Sequence, residues 1–392
     1  VATRLYLSNT AAPYTPATKR AAWDKATQTL ARKLAPRPAG AATTVNVTPG
    51  SITANWDVLW GVWVSDPAIA AGTLSGTVEW MAGVLEGNAA ANAFWHVHIY
   101  VTQGDSDTPR GTILTDSVGA TEYTITATGR GEGTKTLTSL AISVGDRIVV
   151  ELGYRASSDT TSRSVTMNYG NTGTVDLTQG STSVTTQPGW VEFSGADGLF
   201  YAPISGIVDD FNSGTLANPP WSANYNGPTS TGGRLQIPAT SSGGAPQYAG
   251  AQADPTSSAY DLDSVYAQLV TIPSSVGVTA EAYTDCVVFD PSTAGTYAGW
   301  VYDAVAQKLC ALNAVGFSDV TTRVEMAYTG PTWVRLRRSG ANLLWDTAPD
   351  GTTWTNRRTE TAPSWTNYHG LGLLLEAARD GGSDDFAAWD NL

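Results

Sequence analysis

Four stretches of this chain repeat apolar residues with a period of two. Trp56, Val58, Trp60, Val62 and Val64 form one set, and Val78, Trp80, Ala82 and Val84 a second. Trp95, Val97, Ile99 and Val101 form a third, and Ile148, Val150, Leu152 and Tyr154 a fourth. Side chains of an extended backbone point alternately to opposite faces, so each set reads as the buried side of a strand and gives no helical stripe. Gly, Ser, Thr and Asp separate the sets, and Trp190–Phe193 reads as a closing strand. Residues 43–195 are therefore expected to form one antiparallel sandwich. Composition agrees: 14 Trp and 42% apolar residues can fill cores, while 40 Gly and 20 Pro supply turns. Charged residues reach only 15%, against roughly 25% in ordinary soluble domains. A length of 392 residues allows two or three folding units.

A connector, residues 196–206, leads to a second expected sandwich over 207–392. Its strands are read at Val265–Thr271, Cys286–Asp290, Ala298–Asp303, Leu309–Val315, Trp333–Arg338 and Phe386–Asp390, with a hairpin around Pro349-Asp-Gly351. Cys286 and Cys310 fall on strands separated by a third, Tyr297–Asp303. That spacing holds them roughly 10 Å apart, too far for a disulfide, so two buried free thiols are expected. The fold class expected is all-β: two antiparallel, jelly-roll-like β-sandwiches behind an extended, partly helical N-terminal arm.

Charge sets residues 1–42 apart. The chain carries 22 basic and 35 acidic residues, a net of −13, yet this arm holds seven basic residues against Asp24 alone. An acidic body of this kind repels phosphate backbones, so nucleic-acid binding is not expected. Nor is membrane insertion, because no apolar run approaches about 18 residues, and the chain opens without a secretory-type apolar segment. Thr3–Ser8 alternates like a strand in search of a partner. Trp23, Ala26, Leu30, Ala31 and Leu34 follow helical spacing up to Pro36 and Pro38. Such an arm cannot bury its own apolar side, and is expected to dock on another subunit through Arg4, Leu5, Leu7, Trp23, Leu30, Arg32 and Lys33. The alternative is a terminus that packs on the following domain.

Thr3-Arg-Leu-Tyr-Leu7, Pro13, Pro16, Trp23, Arg32-Lys-Leu34, Asp146–Arg155 and Pro188–Ser194 together resemble a family of tailed-phage minor tail or structural proteins, over residues 2–195. Asp209-Asp-Phe211, Trp221, Gly232–Leu235, Trp333–Leu336, Pro349–Trp354 and Asp384–Asn391 resemble concanavalin/laminin-G-like sandwiches. The first resemblance implies a place in a virion without implying a chemistry. The second implies a fold on which glycan binding, and sometimes glycan hydrolysis, is found.

Catalytic spacings are missing: there is no Gly-x-Ser-x-Gly, no phosphate-binding Gly-rich loop, no His-Glu-x-x-His, and no Glu-x-Asp-x-x-Glu run in the second unit. The expectation is that the chain is not an enzyme. His96 and His98 share a strand face and could ligate zinc with Glu79 or Glu151, or simply belong to a packed or interface face. Asp209, Asp210, Asp384, Asp385 and Asp390 lie on terminal strands that should be neighbours, where structural Ca²⁺ would relieve their repulsion. Trp365, Tyr368 and His369, in a polar loop led by Pro363, are the candidate glycan contacts. Trp345 is read as core. The functional expectation is a homo-oligomeric, most simply trimeric, phage tail component. It would be made in the host cytoplasm without a signal peptide, be anchored by its arm to other virion subunits, and display host-surface glycan-binding sandwiches. Alternatives are a capsid-surface decoration protein or a secreted glycan-binding adhesin.

Overall fold

A computed structural model describes the chain apart from residues 1, 18, 20, 27–29, 49–53, 158–162, 197, 219, 243, 254–259 and 368, and the side chain of residue 367. The chain is nearly all β, 52% strand and 2% helical, and divides into two compact units, Val1–Phe200 and Tyr201–Leu392.

In the first unit one long sheet curls on itself. Its strand order is Thr43–Val47, Val165–Tyr169, Gly72–Glu86, Trp190–Gly195, Thr3–Ala11, Arg32–Ala35, Trp56–Val64, Arg147–Ala156, Ala93–Thr102 and Pro109–Val118. Aromatic side chains from its two halves meet inside. Trp80 lies edge-on to Trp95 at 6.4 Å, and Trp60 contacts Trp95 at 5.7 Å and Tyr154 at 5.0 Å. Edge-to-face rings at these separations pack better than face-to-face ones, so the Trp load read from the sequence is mostly core.

The Trp56–Val64 strand departs from strict alternation. Its register against Arg147–Ala156 shifts between Leu152↔Gly61 and Gly153↔Leu59, a bulge that makes Trp60 the extra residue. Trp60 keeps facing the aromatic core, while Leu59, Val62 and Val64 join Tyr100 and Val149 on the opposite face. That second face is covered by the chain's own N-terminal segment, with Ala31 buried in it and Ala12, Tyr14 and Trp23 packed against it.

The free arm expected from the sequence is corrected by this arrangement. Thr3–Ala11 is a central strand: Leu5 pairs with Val191 on one side and Leu7 with Leu34 on the other. It joins the two halves of the sheet, and Leu5 and Leu7 are at most 1% exposed. Arg4 is held by Asp176 at 2.6 Å and Glu192 at 2.8 Å, over the face of Trp190, and Lys33 by Asp66 at 2.9 Å. Arg32 pairs with Trp63 in the ladder, and Leu30 stands exposed. The helical spacing is corrected too. Lys25–Ala26 and Arg32–Ala35 are short strands running parallel to Trp56–Val64, because unpaired backbone beside an existing sheet gains more from ladder hydrogen bonds than from an isolated short helix.

The second unit is a sandwich of two sheets. One contains Leu235–Ser242, Asp385–Asp390, Ser264–Thr271, Thr332–Ser339, Asn342–Ala348 and Thr355–Thr361. The other runs Ala249–Ala253, Gly372–Arg379, Ala282–Phe289, Tyr297–Asp303 and Lys308–Val315. Three buried indoles tie the sheets together: Trp300 donates to Arg335 O, Trp345 to Gly299 O and Trp389 to Thr284 Oγ1, at 2.9–3.0 Å. A buried indole N–H is best satisfied by a partner, and each of these three finds one on the facing sheet. Cys286 and Cys310 are free and buried on strands flanking Tyr297–Asp303, as the sequence suggested.

Candidate functional site

The Ala282–Phe289 strand sends Thr284, Cys286 and Val288 inward and Tyr283, Asp285, Val287 and Phe289 to the other face, which lines a groove of about 1000 Å³. Its neighbour Gly372–Arg379 buries Leu373, Leu375 and Ala377, and Leu374 and Glu376 line the same groove. Register places Asp285 directly opposite Glu376. The Glu376 amide donates to Asp285 Oδ1 at 3.1 Å, and Asp285 is only 6% exposed. Glu376 is gripped from both sides, because Tyr225 Oη donates to its Oε2 and Tyr283 Oη to its Oε1. Gly250 makes the first contact possible, since a Cβ there would come within 2.7 Å of the Tyr225 hydroxyl.

Among the described residues no Lys or Arg forms an ion pair with either carboxyl. Burial, then the charge of Glu376, pushes Asp285 well above the ordinary carboxylate range, and burial also raises Glu376 against the opposing pull of its two tyrosines. Carboxyls set opposite each other on a buried ladder ionise together only at a cost, so the protonated form of the pair is favoured relative to free carboxyls. Tyr283 and Tyr225 are pushed up by burial as well and stay protonated as donors. Phe289, Tyr297, Tyr248 and Phe317 add aromatic surface to the walls, with Gln252 as a polar group among them. The arrangement offers an aromatic-walled groove with a buried carboxyl pair on its floor.

The first unit has a contrasting cluster. His96 Nδ1 lies 2.9 Å from Asp57 Oδ1, Arg155 donates to both Asp57 oxygens at 2.7 Å, and His98 Nδ1 lies 3.0 Å from Asp116. Trp23 covers the His96 ring at 4.5 Å and donates its indole N–H to the fully buried Glu151 at 2.6 Å. His96 and Arg155 hold Asp57 down at about 2 against the opposing effect of its burial. Among the described residues no group of three or more His, Cys, Asp or Glu converges as a metal site would require. The two histidines thus lie on an internally packed face beneath the N-terminal segment.

The other residues singled out from the sequence are dispersed. Trp365 is 6% exposed and His369 5%, the latter stacked on Tyr201 at 4.6 Å beside Asp261, so neither presents a platform. Tyr368 lies outside the described residues. The terminal segments of the unit do meet, Asp209 and Leu392 exchanging backbone hydrogen bonds, but the carboxylates do not gather. Asp209 accepts from Phe211 N–H and Trp221 Nε1, Asp210 from Asn212 N–H, and Asp385 from Ser274 N–H, while Asp384 is exposed. Asp390 is raised by burial, with Asp210 contributing. Local backbone donors satisfy these side chains one by one, the behaviour of Asp in turns.

No family model matches the chain, and no curated protein matches it. Among solved structures it is similar to the catalytic domain of an endo-1,3-beta-glucanase (laminarinase) from Thermotoga petrophila, at 9% identity and a TM-score of 0.36, over 47% of this chain and 94% of that one. A laminarinase from Flavobacterium sp. UMI-01 gives 11% identity and 0.36, over 47% and 97%. The GH43 protein BlXynB from Bacillus licheniformis gives 14% and 0.34, over 53% and 42%. The likeness is one of sandwich fold. The expectation that the chain is not an enzyme is corrected here: its fold neighbours are glycoside hydrolases, and the exclusion is withdrawn.

Proposed function

We propose that the second unit binds a glycan in the groove over Asp285 and Glu376. The observation that carries this reading is the buried carboxyl pair on the floor of an aromatic-walled groove. Sugar rings present apolar C–H faces to aromatic side chains and hydroxyls to buried polar groups, and a channel of this size accepts several rings. The same pair gives the site an acid, so binding and bond cleavage are measured together. The full chain is titrated with a panel of oligosaccharides by calorimetry and assayed for new reducing ends. Asp285→Asn is expected to weaken binding about tenfold or more, as loss of a buried polar contact does. Equal binding by Asp285→Asn and the unaltered chain, or no binding to any oligosaccharide, overturns the reading.

A place for the first unit in a tailed-phage particle is the finer proposal. Its support is the set of motifs at Thr3–Leu7, Asp146–Arg155 and Pro188–Ser194. Attachment through Leu5 and Leu7 is not part of it, since both are buried within their own sheet. Immunodetection of the chain in purified particles is the test, and its absence there removes the proposal.

A further inference from the structure

The groove is unbalanced in charge. Glu281, Asp285, Asp290, Asp303, Asp319 and Glu376 line it, against Arg323 as the cationic side chain. Arg323 is already held by Asp303 at 3.2 Å and Glu325 at 2.7 Å, and Asp319 is matched by Arg358 at 2.9 Å from outside the groove. Asp285 is more than nine-tenths buried. Its Oδ1 accepts the Glu376 amide, and its second oxygen has no hydrogen-bond donor among the described residues. A buried carboxyl pair that faces open space without a cation leaves a position that a positive group would fill.

We propose that the groove takes a saccharide carrying protonated amines, with an ammonium group seated at Asp285 and Glu376. This rests on glycan binding in the groove and adds the chemical class of the sugar. Uronate, sulfate or phosphate groups would meet like charge along the whole channel, whereas an ammonium meets carboxylates on the floor and the faces of Tyr283 and Tyr297 beside them. Burial raises both carboxyls, with the charge of Glu376 adding to the shift at Asp285 and that of Glu281 to the shift at Glu376, and a cation within about 4–6 Å opposes that shift. Binding of the amine therefore favours proton release from the pair, whereas a neutral sugar does not.

The test is titration calorimetry of the full chain at pH 7 with a glucosamine oligomer, its fully N-acetylated counterpart and an oligogalacturonate, each in two buffers of different ionisation enthalpy. The expected result is about tenfold tighter binding of the amine form, with proton release for that ligand alone, and a margin that narrows as salt is added. Asp285→Asn abolishes the preference and the proton release. Glu281→Gln, at a half-buried side chain that accepts from the Tyr248 hydroxyl at 3.3 Å, narrows the preference without the folding risk of a floor substitution. Equal or tighter binding of the N-acetylated oligomer, without proton release, overturns the amine inference and leaves the glycan groove standing. Failure of all three sugars removes the groove reading and the inference together. Proton release by calcium chloride alone identifies the pair as an inorganic-cation site and overturns the inference.

Discussion

Each unit carries acidic side chains on the outer face of a sheet, and the two treat them in opposite ways. In the first, Asp57 sits between His96 and Arg155, and Trp23 closes over the top. In the second, Asp285 and Glu376 face each other with tyrosine hydroxyls as partners, and their face stays open to a groove. A guanidinium partner and a cover turn a carboxylate into a structural element. Their lack leaves a pair of raised carboxyls, the kind of perturbation that concentrates at binding and catalytic sites.

The covering segment gives the largest effect. Deleting residues 2–11 removes a central strand with Leu5, Tyr6 and Leu7, each at most 1% exposed. Large core truncations cost about 2–5 kcal/mol per side chain, so the first unit is expected to lose its cooperative unfolding transition. A calorimetric scan that still shows both transitions would return the segment to the status of a detachable arm.

Asp57→Asn and Asp285→Asn then place the same change in the two settings. Asp57 is held at about 2, below its unfolded value of 3.8, so its stabilisation is present above the unfolded value and is lost as pH falls through about 2. The substitution is expected to cost about 2 kcal/mol at pH 7 and to flatten the acid limb of a denaturation series. Asp285 is raised, so its folded form binds the extra proton and stability declines as pH climbs above the unfolded carboxylate range. There Asn mimics the protonated acid, and a gain of about 2–4 °C in midpoint is expected at pH 8 with little change at pH 5. Shifts of the same sign in both units would dissolve the contrast.

Gly250→Ala gives the smallest effect. The added methyl displaces the Tyr225 hydroxyl from Glu376, so sugar affinity is expected to fall by about threefold, while stability changes by no more than about 1 kcal/mol. Unchanged affinity would show that Tyr225 does not position Glu376.

Period-two spacing made the strands legible, down to the hairpin at Pro349-Asp-Gly351, because half-buried strands write their burial into adjacent residues. The site was not legible in that way. Asp285 and Glu376 come together only through strand pairing, and the signal available was a lone carboxylate inside each of two apolar strands, Thr284-Asp285-Cys286 and Leu375-Glu376-Ala377. Trp365 and His369 misled because a polar loop sequence does not reveal that its rings turn inward. The Asp209–Asp390 set misled because turn carboxylates satisfy themselves on nearby backbone N–H groups. The N-terminal segment misled because its spacing fits a helix in isolation, whereas an adjacent sheet edge offers it a better partner.

The protonation of the groove pair is open to direct measurement by isotope-edited infrared spectroscopy of the carboxyl groups across pH. A protonated carboxylic acid signal that persists at pH 7 and disappears in Asp285→Asn is the expected result. Two fully ionised carboxylates at pH 7 would contradict the distinction between the ion-paired, covered face of the first unit and the raised carboxyls of the groove in the second.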